Sequence, residues 1–358
     1  MSLCGDSHDP PARPIPLELQ GDALGTWVRH WQHPQWVASV DDWVAECLAE
    51  HGIRQAGAGE TYKIRFWSVV RNYPTDLGLF WFKENNPGQA FEARLVTTLA
   101  ELVPDLVAAP LATLLDQGWM LTADQGPTLG DRAGTAGGMT DHRTRIRVAR
   151  ELARLQRSTI RHAGQILSTG ITQIPPGQAG RVIRDRVAQL VALAPGHPLR
   201  PADEMIPRLH AATDRLDRLA DELTGRIPQA LEHNDLHGFN MFGSAETALR
   251  FFDFGDSVWA HPFTTLHGMI NSLDWQTGLA PDAPEIAEMV NAYLAEWSDL
   301  ADPDQLHDEF TRAGWLLPVS RLVSWHRLLD HADALEITTW IETPTHWLAE
   351  VAALADLP

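Results

Sequence analysis

The sequence is poor in cysteine: only Cys4 and Cys47 occur, too few for a disulfide framework or a cysteine metal site. A reducing, cytoplasmic setting is the expectation. No apolar run approaches the ~20 residues that a membrane-crossing helix needs. The N-terminus is polar and proline-rich rather than basic and then apolar, so no secretory signal is read there. Basic charge is short as well, with 28 Lys and Arg against 47 Asp and Glu and a formal net charge of −19. That balance argues against nucleic acid or an anionic membrane as partner, since both need a basic footprint. A cationic ligand would be attracted, although solubility alone is the plainer account of such a charge. No internal repeat is visible.

What is present fits a globular chain of more than one lobe. At 358 residues, 44% of them hydrophobic, two lobes meeting at a cleft are expected. Residues 1–21, with Pro10, Pro11, Pro14 and Pro16, read as a mobile tail. A helix is predicted over 41–50, with Asp41 near its N-cap and Gly52 beyond its end. Strand patterns follow at 61–66, 69–73, 79–83 and 118–123, the middle two joined by Pro-Thr-Asp-Leu-Gly turn chemistry. One helical spacing, through Phe91, Leu95, Leu99 and Leu102, interrupts them. This describes an α+β lobe over 22–125. The remainder, 126–358, reads as mainly helical, with helices near 141–162, 181–194, 202–224, 264–278, 284–300, 304–330 (interrupted at Pro318) and 335–355. The exception is 240–253, which reads as a hairpin around Gly243.

That hairpin is bracketed by His233-Asn234-Asp235-Leu236-His237-Gly238-Phe239-Asn240 before it and Asp253-Phe254-Gly255-Asp256 after it. Phosphoryl transfer asks little covalent chemistry of a protein. It needs an oxygen acceptor beside the attacking hydroxyl and hard oxygen ligands for Mg²⁺ on the β- and γ-phosphates. A short loop can present Asp235 at one end and Asn240 at the other, and the hairpin returns Asp253 toward the same metal. Asp235 is then the base and orienter, and Asn240 and Asp253 the metal ligands. A zinc site on His233 and His237 is the weaker alternative, because that spacing suits a metal only on a helix and Gly238 follows at once. His237 fits better as a residue that steadies the loop.

His-x-Asp, an Asn five residues after the Asp, and a hydrophobic strand ending in Asp-Phe-Gly together resemble the catalytic loop and metal-binding segment of aminoglycoside phosphotransferases. The fold of that family is shared with choline and sugar kinases and, more remotely, with protein kinases. The resemblance implies a bilobal protein-kinase-like α+β fold, with a small mixed β-sheet lobe and a larger helical lobe. It also implies ATP or GTP as co-substrate, Mg²⁺ as cofactor, and the roles just given for Asp235, Asn240 and Asp253. Lys83, one of only two lysines, ends a strand, and Glu92 opens the next helix, which resembles the family's Lys–Glu pair for the phosphates. The stretch Trp119-Met120-Leu121-Thr122-Ala123-Asp124-Gln125-Gly126 resembles the interlobe linker, so Thr122, Ala123 and Asp124 are candidates to bind the purine. A glycine-rich phosphate loop is missing between the first two strands, where Phe66-Trp67-Ser68 stands, and Ser68 is the candidate phosphate contact. The His-Arg-Asp and Ala-Pro-Glu segments of protein kinases are missing too, which disfavours a protein kinase.

The resemblance fades over the last hundred residues, which decide the acceptor. Seven of the fourteen tryptophans follow Asp253. Most belong to helix cores, but Trp275 beside Asp274 and Trp325 beside His326 have polar neighbours and are candidates for the acceptor pocket, with Asp256 as a candidate acid. Arg143, Arg147, Arg150, Arg154, Arg157 and Arg161 form one stripe on the 141–162 helix, read as a solvated face paired with carboxylates or, alternatively, as a dimer contact. The expected function is a small-molecule kinase acting on an amino sugar, sugar or sugar-containing antibiotic, as a monomer or homodimer. A metabolic sugar or amino-alcohol kinase is one alternative, and a nucleotide-binding pseudokinase regulator is another.

Overall fold

The computed structural model describes residues 25–132, 138–223, 226–243 and 248–357. The proline-rich segment 1–21 and the hairpin tip 244–247 lie outside the described residues. The chain groups into two compact units. The first holds the residues up to Ala93, Pro110–Asp124 and Trp325–His346, and the second holds Arg94–Ala109, Gln125–Ser324 and the residues from Trp347 on. Among the described residues, no helix is long and apolar enough to cross a membrane.

In the first unit, α1 (Thr26–Gln32) and α2 (Pro34–Glu50) precede a five-stranded sheet. Its strands are β1 (Glu60–Arg65), β2 (Ser68–Thr75), β3 (Gly78–Asn85), β4 (Ala112–Leu114) and β5 (Trp119–Ala123), in the order β1-β2-β3-β5-β4. Every pairing in this sheet is antiparallel. The β2–β3 hairpin closes on a two-residue turn, Asp76–Leu77, with Thr75 opposite Gly78. Gly78 takes φ +108°, a value that side-chain-bearing residues rarely adopt. Period-two alternation sends Phe80 and Phe82 into a core with Trp36, Val40, Val44 and Leu48 of α2, and leaves Trp81 and Lys83 on the other face.

Helix α2 starts earlier than the sequence reading has it. His33 caps it, accepting from the Gln35 amide, and Pro34 holds the first helical position, where its missing N–H costs nothing. Asp41 lies mid-helix instead. Its Oδ1 accepts from the Tyr73 hydroxyl (2.7 Å) and from Arg71 Nη2 (2.9 Å), so the carboxylate ties α2 to β2 rather than ending a helix. Burial and the Asp41 bond push the Tyr73 phenol well above its ordinary value.

The second unit is built on α4 (His142–Ile160), which Asp141 caps by accepting from the Thr144 amide. After α3 (Glu92–Leu102), most of which it also holds, this unit contains α5 (Ala163–Leu167), α6 (Ala179–Val191), α7 (Ile206–Leu223), α8 (Thr264–Thr277), α9 (Pro284–Ala295), α10 (Pro303–Ala313) and α11 (Leu317–Leu329) as far as Ser324, with α6, α7 and α11 sharing one apolar core. The break near Pro318 falls just before it: a 3-10 turn at Gly314–Leu316 separates α10 from α11, and Pro318 sits in the first turn of α11, where proline is tolerated. Two small sheets hold the loop of interest. The first has the order β6-β10-β7, from Thr172–Gln173, Val258–Ala260 and Ala230–Glu232, with β6 and β10 parallel. The second pairs β8 (Met241–Phe242) with β9 (Arg250–Phe251), the expected hairpin.

Candidate active site

The segment carrying Asp235 leaves β7 under tight restraint. Glu232, wholly buried at the end of β7, accepts from the Ser320 hydroxyl (3.0 Å), and burial pushes its carboxyl up to about 8. His233 donates its amide to Thr265 Oγ1 (3.1 Å) and its Nε2–H to the Phe252 carbonyl (2.9 Å), while burial pushes its pKa down. Asn234 turns the chain with φ +64°, a left-handed conformation that Asn tolerates better than most residues. Its amide pays for that turn by donating to the carbonyls of Asp256 and Ser320, both at 3.1 Å.

A test of the packing follows from Glu232. Unfolded, its carboxyl ionises near 4.5; folded, near 8. An acid raised in this way is fully compatible with folding below the lower value, costs stability as pH climbs between the two, and costs most above the upper one. Glu232→Gln is expected to stabilise the chain by up to a few kcal/mol at pH 8–9, and by little at pH 4–5. Thermal melts across that range check it, and a gain independent of pH would contradict burial as the cause.

Asp235 follows the left-handed turn with its side chain 32% exposed. Burial alone would raise its pKa, but the Arg321 guanidinium and the His237 ring outweigh burial and hold the carboxyl well below the usual carboxylate range. Arg321 Nη1 donates to Asp235 Oδ1 (2.9 Å) and to the Asn234 carbonyl (2.5 Å). His237 Nε2 lies 3.6 Å from Oδ2, and His237 Nδ1 accepts from the Phe239 amide, closing a 3-10 turn over Gly238–Asn240. A Cβ at Gly238 would meet Gln276 Oε1 at 2.5 Å, so a side chain there would displace the oxygen that accepts from the Gly238 amide at 2.8 Å.

Asn240 closes the loop. Its Nδ2 donates to the Asp235 carbonyl (2.9 Å) and lies 3.4 Å from Asp235 Oδ2. The amide nitrogen is thereby spent on Asp235, and Oδ1 is the side chain's acceptor atom. The β8–β9 pairing sets Asn240 opposite Phe252, whose amide donates to the Asn240 carbonyl (3.2 Å), so Asp253 is one residue from the amide. Asp253 adopts φ +63°, a second left-handed non-glycine residue, which ends the hairpin and begins the 3-10 turn Phe254–Asp256. Among the described residues no cluster of three or more His, Cys, Asp or Glu could hold a metal. One amide oxygen and one carboxylate nonetheless suit Mg²⁺, a hard cation that takes one or two protein oxygens and completes its shell with phosphate and water.

In the first unit, Lys83 Nζ meets Glu92 Oε2 at 2.7 Å, with the lysine side chain 16% and the glutamate 1% exposed. Asn85 Nδ2 also donates to that oxygen (2.5 Å), which fixes the carboxylate from β3 itself. Ser68 is buried at the first position of β2 and pairs with Asn85 and Arg65. Thr122 stands opposite Trp81 and Ala123 opposite Phe80. The Asp124 amide donates to the Leu79 carbonyl (3.0 Å), and its carboxylate accepts from Trp81 Nε1 (2.9 Å).

Solved structures match this architecture along nearly its whole length. A macrolide 2′-phosphotransferase from Brachybacterium faecium superposes over 88% of this chain and 99% of its own, at 19% identity and a TM-score of 0.56. An ethanolamine kinase from Plasmodium vivax covers 91% of this chain and 90% of its own, at 12% identity and a TM-score of 0.63. The chain has the protein-kinase-like fold of small-molecule kinases. An amicoumacin kinase solved with AMP-PNP, Ca²⁺ and amicoumacin has this fold too, covering 91% of this chain and 97% of its own at 12% identity and a TM-score of 0.52. No protein-family model and no curated protein sequence matches the chain.

The acceptor-side candidates fall in both units. Asp256 accepts from the Ser324 hydroxyl of α11 and belongs to the network around Asn234. Asp274 is exposed near the end of α8, where its carbonyl accepts the Gly278 amide. The side chain of Trp275 lies outside the described ones. Trp325 belongs to the first unit, its ring 5.8 Å from that of Trp67, and His326 beside it is buried. The arginine stripe of α4 is engaged in part, Arg154 with Asp105 and Glu151, and Arg157 with Asp299. Sequence reading missed Arg321, Gln276 and Asn85. Only Asn85 carried a signal, as the residue two beyond Lys83 on the same strand face.

Proposed function

We propose that the chain is a cytoplasmic, Mg²⁺-dependent phosphotransferase that moves the γ-phosphoryl group of ATP or GTP to a hydroxyl of a small molecule. One observation carries the reading: an ionised Asp235 and the Asn240 amide share a hydrogen-bonded loop whose hairpin returns Asp253 beside Asn240. Asp235 accepts the hydroxyl proton and orients the oxygen for in-line attack. Asn240 and Asp253 supply oxygen ligands, and Mg²⁺, when bound there, would neutralise charge on the β- and γ-phosphates. Lys83, steadied by Glu92, binds phosphate oxygens, with Ser68 as a further phosphate contact and Thr122–Asp124 at the purine. The acceptor class is an amino sugar, sugar or sugar-containing antibiotic, and the net charge of −19 suits a cationic one.

The test is a panel of amino sugars, sugars, aminoglycosides, macrolides, nucleoside antibiotics and amino alcohols, incubated with Mg²⁺ and ATP or GTP and read by mass spectrometry. A nucleotide-dependent gain of one phosphate on one class supports the reading. A chain that binds nucleotide yet neither hydrolyses it nor phosphorylates any hydroxyl compound is a pseudokinase instead. Lys83→Ala is expected to weaken nucleotide use, as kcat/KM for ATP, by roughly 10–100-fold, the size of one lost charge-assisted contact. Steady-state kinetics varied in ATP check this, and an unchanged value would remove Lys83 from the site.

A further inference from the structure

Helix α11 meets the Asp235 loop through three polar residues, Ser320, Arg321 and Ser324, within little more than one turn. Ser320 donates to Glu232, and its carbonyl accepts from Asn234. Arg321 donates to the Asn234 carbonyl and to Asp235 Oδ1, and Ser324 donates to Asp256. The guanidinium is held from a second side as well, with its Cζ 5.5 Å from the centre of the Trp347 ring on the helix Glu342–Ala353. It is 14% exposed. Arg321 thus bridges a main-chain carbonyl in the left-handed turn and the side chain of the next residue, the two atoms that set where Asp235 points. A planar guanidinium fixed by a carbonyl, a carboxylate and an aromatic face has little freedom left, and a lysine could not reproduce that fork.

We infer that Arg321 is the positioning residue for Asp235: it clamps Asp235 Oδ1 and the Asn234 carbonyl, so that Oδ2 is the oxygen presented to the acceptor hydroxyl. The division between the two oxygens follows from the contacts, since Oδ1 takes the guanidinium whereas Oδ2 has His237 at 3.6 Å and Asn240 at 3.4 Å. The inference rests on the phosphotransferase reading for its catalytic consequence, but not for the clamp itself. Arg321 acts through Asp235 and not on the nucleotide.

A double-mutant cycle tests it, with Mg²⁺–ATP hydrolysis as the reaction and water as acceptor. Arg321→Ala is expected to lower kcat by about 10–100-fold, the loss of one charge-assisted contact, with KM for ATP unchanged within about twofold. In the Asp235→Asn background the same change should cost less than about twofold, because the group it positions is already lost. Guanidinium ion at tens of millimolar should restore part of the rate to Arg321→Ala in the Asp235 background alone. Arg321→Lys, which keeps charge and bulk, should fall between. Equal losses in both backgrounds, or none in either, overturn the inference. Should the unaltered chain neither bind nor hydrolyse Mg²⁺–ATP, the phosphotransferase reading falls, and amide hydrogen exchange decides the clamp separately. Faster exchange confined to residues 234–240 in Arg321→Ala supports it, and unchanged exchange there overturns it.

Discussion

Asp235→Asn is expected to cut phosphoryl transfer by about 10²–10⁴-fold, the usual scale for a positioned base, while nucleotide affinity stays within about twofold. The asparagine keeps the volume and one acceptor for Arg321, so the loop retains its turn and its contact at 2.9 Å. What disappears is the anionic oxygen. In the native chain Arg321 and His237 hold that carboxyl ionised against burial, so it is ready to accept a hydrogen bond from a hydroxyl at any neutral pH. A group held so acidic is a weak base in the ground state, which suits a loose transition state in which the proton leaves late and orientation matters most. The measurement is single-turnover transfer to whichever acceptor the panel identifies, with calorimetry for the nucleotide. Undiminished turnover would take Asp235 out of the reaction.

Much of this site was legible because it is local. Asp235, Asn240 and Asp253 lie within one stretch of chain, and the turn chemistry between them predicted the hairpin that β8 and β9 form. Lys83 and Glu92 were legible for the same reason, as a strand end and the next helix start. The residues that hold the loop are distant in sequence. Arg321 follows Asp235 by 86 residues, on a helix whose pattern announces only its buried face, and nothing in its neighbours marks it. Strands β6, β7 and β10 run for two or three residues each, and β7 and β10 are buried throughout, so no alternation betrays them. Asp41 failed differently. An acid before an apolar run reads as a cap, but Tyr73 and Arg71 bind it from the sheet, and tertiary contact outweighs the local preference. The acceptor-side tryptophans were the least legible, since the same spacing serves a core or a pocket.

Asp253→Ala is expected to abolish the tightening of nucleotide binding by Mg²⁺, a loss of about tenfold or more in the affinity ratio measured with and without the metal. The carboxylate is the one charged protein ligand proposed for the cation, because Asn240 offers a neutral amide oxygen. Backbone strain needs separating from it. Asp253 sits at φ +63°, where alanine costs roughly 1–2 kcal/mol relative to residues that tolerate a left-handed turn. Asp253→Asn avoids that strain and removes only the charge. The two variants should therefore lose Mg²⁺ dependence alike and differ in melting temperature, with alanine the lower. Calorimetric titration of ATP at fixed Mg²⁺ and in EDTA gives the ratio directly. An unchanged ratio in both variants would show that the cation does not rest on Asp253. The hairpin that returns this residue to Asn240 would then have a structural purpose only.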